Sequence, residues 1–255
     1  MPFQKVTPEK LSASVVRQIE QLILRGILRP GERLPAERDL AARLDVSRPS
    51  LREAIAELSD RGLLSSKAGS GVFVSETLAP AFPPALTRLF AGHEEAVFDY
   101  LAFRRDIEGL AAERAARHGS DTDLKVIGAI LARMEAAHLK RDPADEAALD
   151  AEFHMAIIEA GHNVIMLHMM RSMFDLLRQG VFYNRRMLFR NRTTRDLLLE
   201  QHRAIDRALQ SRDAAAARAA VEAHLSYVEQ SFQDVLRAER NEAIARQRLD
   251  HENAR

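Results

Sequence analysis

The run from Leu34 to Val74, LPAERDLAARLDVSRPSLREAIAELSDRGLLSSKAGSGVFV, constrains the fold more than any other stretch of the chain. Apolar residues recur at helical spacing in two short segments, about 36–44 and 48–61, joined by a turn at Asp45-Val46. Two strand patterns follow, Leu63 to Ser66 and Val72 to Val74, around the glycine-rich tip Lys67-Ala68-Gly69-Ser70-Gly71. Helix, tight turn, helix and hairpin in that order predict a winged helix-turn-helix. Ser47 is a natural N-cap for the second helix, and Pro49 falls in its first turn, where a missing N–H is not needed. Arg48, Ser50 and Arg52 occupy the same turn, the part of a recognition helix that reaches base edges. Gly62 suits a left-handed C-terminal cap, and Gly69 a turn that lets the backbone approach a phosphate.

Around this segment the pattern predicts a mainly α chain in two parts. A first helix spans Leu11 to Arg25, with Val15, Ile19, Leu22 and Ile23 on one face, and Glu32 to Leu34 reads as a short strand. Residues 1–75 thus form the winged unit. Residues 76–84, rich in proline, read as a linker. Residues 85–240 read as an all-α antiparallel bundle, with helices near 94–118, 121–140, 143–160, 163–190, 193–211 and 213–240. The breaks fall at Gly119-Ser120, Asp142-Pro143, Gly161 and Ser211-Arg212-Asp213, and the charged tail, 241–255, is expected to fray.

Composition narrows the classes. Cysteine is absent, which excludes disulfides and thiolate metal sites and fits a reducing cytoplasm. MPFQKVTPEKLSASVV lacks the apolar run of a signal peptide, and no uncharged apolar stretch of about 18 residues suggests a membrane span. Lys and Arg number 37 against 37 Asp and Glu, so a nucleic-acid face has to be a local feature rather than a property of net charge.

The bundle carries the remaining chemistry. Asp150 and His154 lie four apart, so one helix face presents a carboxylate and an imidazole together. His202 is in register with Leu198, Ile205 and Leu209, and His224 with Val221 and Val228, which points both inward. Three inward imidazoles and a carboxylate suit zinc or a neighbouring transition metal. The same pattern is also met by core histidines satisfied by hydrogen bonds. Arg104 shares a face with Tyr100, Ile107 and Ala111. An internal salt bridge to Glu108 is the simpler reading of its helix, and a clamp on a ligand carboxylate the other. His93, His118, His138 and His251 read as surface residues, and Arg105 as facing outward. Phosphate loops, nucleophile elbows and CxxC pairs do not occur. A metal-dependent hydrolase stays open as a rival class, although nothing beside the His/Asp set looks like a dedicated general base.

The run LRPGERLPAERDLAARLDVSRPSLREAIAELSDRGLL resembles the GntR family of bacterial transcription regulators. The helical half is similar to the ligand-binding domain of its FadR subfamily, in the FCD version, through FRRDIEGLAAERAA, LDAEFHMAIIEAGHN, EQHRAIDRAL and AHLSYVE. The likeness runs from about residue 8 to 236. It implies DNA contacts from Arg38, Ser47, Arg48, Ser50 and Arg52, with Lys67 and Gly69 at the wing. Pro49 stands where a hydroxyl-bearing contact is common, so that hydrogen bond is missing here. The resemblance further implies that Asp150, His154, His202 and His224 hold a divalent metal, zinc first and nickel or another transition metal next. It assigns Arg104 to the effector's carboxylate. The implied protein is a homodimeric regulator, a repressor of central carbon or organic-acid metabolism, released from a palindromic operator by a small carboxylate that shifts the two domains through the linker. Pyruvate is the first expectation, with lactate, glycolate or a sugar acid as alternatives.

Overall fold

A computed structural model of the chain describes residues 10–67, 69–76, 82–91, 93–140, 143–178 and 192–253. The chain divides into two units, Met1–Ala81 and Phe82–Arg255.

The first unit contains α1 (Leu11–Leu24), α2 (Glu37–Arg43), α3 (Arg48–Asp60), β1 (Leu64–Lys67) and β2 (Gly71–Val74). α1 buries Val15, Val16, Ile19 and Ile23 against Leu51, Ala54, Ile55 and Leu58 of α3. Each of the larger side chains contributes roughly 1.5–3 kcal/mol of burial. Leu40, Leu44 and Val46 close the core beside Ala41. The Ser47 hydroxyl accepts from the Ser50 amide at 3.3 Å, which starts α3. Gly62, at φ +73°, ends it in a conformation that a side chain disfavours. β1 and β2 pair antiparallel, with Leu64 opposite Val74 and Lys67 opposite Gly71. The strand expected at Glu32 to Leu34 is a single bridge, Arg33 to Phe73. The Leu34 amide donates to Val72 and the Val74 amide to Glu32, both at 2.9 Å.

The described residues of the second unit form helices: α4 (Pro84–Ala91), α5 (Glu94–His118), α6 (Asp121–Lys140), α7 (Pro143–Ala160), α8 (Val164–Arg178), α9 (Arg192–Gln210) and α10 (Ala214–Asn253). Capping side chains explain the breaks. The Ser120 amide donates to Asp123 Oδ2 at 2.8 Å, while the Asp123 amide donates to Ser120 Oγ at 3.1 Å. Asn163 Oδ1 accepts from Met166 at the start of α8, and Asp213 Oδ1 from Ala216 at the start of α10. α5 and α10 pack along each other, and α7 and α9 complete a core around Phe153, Ile157, Ile205, Leu209 and Val221.

Three differences from the pattern have physical causes. α4 lies just beyond the proline-rich stretch, because Pro84 occupies a first turn, where its missing N–H does no harm. α10 continues through the tail expected to fray, on good helix formers and pairs such as Arg246 with Glu242, one turn apart. Arg105, on the partly exposed side of α5, also reaches across to Glu229 at 2.9 Å. α8 is described to Arg178; the rest of the helix expected at 163–190 and linker residues 77–81 lie outside the described residues. No helix among the described residues is long and apolar enough to cross a membrane.

Candidate metal centre and nucleic-acid interface

Asp150 and His154 stand one turn apart on α7, and α9 and α10 bring His202 and His224 to them. One donor atom from each of the four lies within 4.8 Å of the others, and all four residues are buried. Asp150 Oδ1 is 3.1 Å from His202 Nε2 and 3.8 Å from His154 Nε2, and the two Nε2 atoms are 3.4 Å apart. The His202 and His224 ring centroids are 4.5 Å apart. Phe153 packs edge-on against the His202 ring.

The outer nitrogens fix which way the rings face. His154 Nδ1 lies 2.7 Å from Glu108 Oε2, and His224 Nδ1 lies 2.9 Å from Gln201 Oε1. An imidazole that donates from Nδ1 keeps its lone pair on Nε2. Burial pushes the His154 imidazole below its usual pKa, and it pushes His224 well below, with His202 and His154 adding to the effect. Neutral imidazole lone pairs and an anionic oxygen therefore converge in a dry space, an arrangement that a shared cation stabilises. Donors about 2.0–2.1 Å from one tetrahedral ion stand about 3.3 Å from each other, near the Asp150–His202 and His154–His202 separations here. Three nitrogens and one oxygen suit zinc or a neighbouring transition metal.

Arg104 points inward, as its helix face predicts, and there it meets Glu108. Its Nε is 2.5 Å from Glu108 Oε1 and its Nη2 3.3 Å from Oε2, with both residues 1% exposed. The guanidinium lies 5.0 Å from the Phe174 ring centre. Burial by itself would raise the Glu108 carboxyl; the Arg104 charge and the contacts with His154 outweigh it and hold the group at about 2. The internal ion pair is thus formed, and on the same carboxylate as a histidine of the cluster.

A small cavity opens against His202, lined by Met134, His138, Glu146, Arg195 and Leu199. Arg195 grips Glu146 with two nitrogens and donates to the His138 carbonyl at 2.8 Å. His138 therefore does not stand free on the surface. Its Nε2 is 2.9 Å from Asp196 Oδ1, and its ring is mostly covered. His202 Nδ1 is buried without a hydrogen-bond partner among the described residues, and the 2.7 Å approach of His154 Nδ1 to Glu108 Oε2 is a charge contact rather than an aligned hydrogen bond.

Sequence pattern missed Glu108 and Gln201 as neighbours of the histidines, and Glu146 and Arg195 beside them. Two of these had a signal. Glu146 precedes Asp150 by one turn, and Arg195 precedes His202 by two, so each shares the face of a candidate ligand. The arginine-rich run Arg185-Arg186 and Arg190-Asn191-Arg192, whose sequence reads as a solvated face or hinge, lies outside the described residues as far as Asn191.

In the first unit Ser47, Arg48 and Arg52 are exposed at the start of α3, and Ser50 is half-buried. Arg52 Nε is 2.8 Å from Glu37 Oε2, and Arg38 Nε is 3.4 Å from Asp39 Oδ1. Lys67 Nζ lies 3.5 Å from Glu76 and 5.0 Å from the Phe73 ring centre, and Gly69 has φ +71°. Exposed pairs of this kind are worth about 0.2–1 kcal/mol each, little enough for a phosphate or base edge to displace them.

Comparison with known proteins identifies both units. Residues 11–74 match the profile described as "Bacterial regulatory proteins, gntR family", and residues 99–227 match that of the FCD domain. The chain is 37% identical over 227 residues to the "Putative L-lactate dehydrogenase operon regulatory protein" of Escherichia coli, covering 88% of this chain and 86% of that one. It is 30% identical over 224 residues to the "Glc operon transcriptional activator" of the same organism, covering 87% of this chain and 88% of that one. Among solved structures, a GntR protein of Streptococcus agalactiae shares the fold at TM-score 0.52 and 24% identity, covering 86% of this chain and 99% of that one.

Proposed function

This chain belongs to the gntR family of bacterial regulatory proteins, with an FCD domain as its second half, and on that premise we propose a metal-dependent regulator whose hold on its operator is set by a small carboxylate. It is a ligand-responsive, DNA-binding transcription regulator; the metal, the acid and the sense of regulation are the proposal.

The observation that carries the proposal is the buried set Asp150, His154, His202 and His224. Asp150 would hold the ion through a carboxylate oxygen and the three histidines through Nε2. When bound, the ion supplies a Lewis-acidic partner for a carboxylate. Zinc is the first candidate and nickel or another transition metal the next. Arg104 would pair with the same acid, exchanging part of its contact with Glu108 for it. L-lactate takes the first place among effectors, ahead of pyruvate, glycolate and sugar acids, because the relative at 37% identity bears the name of an L-lactate dehydrogenase operon. Two copies of the chain would present two recognition helices to a palindromic operator, with Arg38, Ser47, Arg48, Ser50 and Arg52 at the major groove and Lys67 and Gly69 at the wing. The effector would act as an inducer by favouring the state that binds DNA less well. A hydrolytic role finds little support, since the nearest buried carboxylate outside the ligand set, Glu108, is already engaged by Arg104 and His154.

Metal analysis and calorimetry of L-lactate, pyruvate and glycolate test the proposal on the zinc-loaded protein and on Asp150→Ala. The expected result is one metal per chain and saturable binding of one acid, both lost in Asp150→Ala. Retention of both by that variant would contradict it.

A further inference from the structure

We propose that Glu108 is a positioning residue of the metal centre, fixing the His154 ring with its Nδ1–H outward and its Nε2 lone pair toward the ion. The inference rests on reading the four-residue cluster as a metal site.

The geometry is that of a clamped carboxylate behind a ligand. Glu108 Oε2 is 2.7 Å from His154 Nδ1, while Oε1 is 2.5 Å from Arg104 Nε, and all three side chains are 1% exposed. Arg104 and Glu108 lie one turn apart on α5, so the fork of the guanidinium spans both carboxylate oxygens, with Nη2 3.3 Å from Oε2. A carboxylate held at two points cannot turn away from the imidazole it faces. A buried charge of this kind is stable only when paired and hydrogen-bonded, and Glu108 meets both conditions through Arg104, with the His154 ring against its other oxygen.

The three histidines are not served equally. The His224 Nδ1 faces a neutral amide oxygen, Gln201 Oε1, at 2.9 Å, and His202 Nδ1 has no hydrogen-bond partner among the described residues; His154 Nδ1 lies 2.7 Å from the Glu108 carboxylate, a close charge contact that a small turn of the ring would align into a hydrogen bond. Among the described residues, His154 alone has a charged acceptor behind it. An anionic acceptor orients the ring and makes its other nitrogen a stronger donor to a metal; losing such a partner typically weakens metal binding about 10–100-fold. Glu108 therefore contributes to the centre without touching the ion, through His154.

The test is the affinity of the full chain for Zn²⁺ and Co²⁺, by competition with a chromophoric chelator, together with the visible absorption of the Co²⁺ form. Glu108→Gln keeps the shape and removes the charge. It should still bind one ion, about 10–100-fold more weakly, with a shifted Co²⁺ absorption. Because that change leaves Arg104 without its counter-ion, the neutral pair Arg104→Gln with Glu108→Gln is measured beside it and should show the same weakening. Wild-type affinity and an unchanged Co²⁺ spectrum in the folded variants would overturn the role of Glu108. If the unaltered protein takes up no metal, or Asp150→Ala binds it as tightly, the metal reading itself fails, and this inference with it.

Discussion

Arg48 stands at the first position of α3, exposed, on a helix start that Ser47 holds in place. On the proposed function Arg48 would read base edges bidentately, a contact worth about 1–3 kcal/mol of discrimination. Arg48→Ala should therefore weaken operator binding by that amount and relax sequence preference, while thermal stability stays within about 0.5 kcal/mol because the side chain is exposed. Operator titrations at fixed salt, paired with thermal melts, check both halves. A variant equally weak on operator and random DNA would place Arg48 on the phosphate backbone instead. The ligand candidates and the exposed arginines of the α3 start were readable at this scale, because helical spacing alone puts Asp150 with His154 and Arg48 with Arg52. Their partners were not. Glu108 lies 46 positions before His154, and no local period connects α5 to α7. Arg104 shows the same limit: its helix predicts the pair with Glu108, but not that the pair backs a histidine of the cluster.

At the scale of elements, side-chain caps start several helices; the Ser47 cap and the breaks at Gly119-Ser120, Gly161 and Ser211-Asp213 were legible, while the capping side chains at those breaks were not singled out. Ser120 and Asp123 form a reciprocal box at the start of α6, and His162 Nε2 adds a contact with Asp123 Oδ2 at 2.9 Å. Burial raises the Asp123 carboxyl, but the Ser120 and His162 hydrogen bonds outweigh it and leave it below its ordinary value. A carboxyl depressed in the folded state contributes stability above its unfolded pKa and loses it as pH falls through the folded one. Asp123→Asn should therefore destabilise the protein at neutral pH and flatten the acid limb of its stability curve. Urea midpoints measured across the acid range, for wild type and variant, decide the point, and parallel curves would mean that the cap contributes no charge effect. α4 and the extension of α10 were less legible. The first hides behind three prolines, and the second is exposed on all sides from residue 237 onward, so no apolar stripe marks it.

For the molecule as a whole, the winged unit supplies DNA recognition and the helical unit supplies a buried cluster of four metal-type donors. The family assignment makes the first a DNA reader and the second its ligand-responsive half. The two-part architecture was legible from periodicity, because a hairpin with a glycine tip and a long helical remainder leave few other folds. The choice of effector was not legible, since an arginine and a metal-type cluster suit many small acids alike.

Operator binding by the full-length, zinc-loaded protein at stated salt, with L-lactate and then pyruvate titrated in, tests the central claim most directly. The account predicts tight binding to a palindromic site and a fall in affinity with one of these acids, absent in Asp150→Ala. Operator affinity indifferent to both acids, in a protein shown to carry its metal, would contradict it.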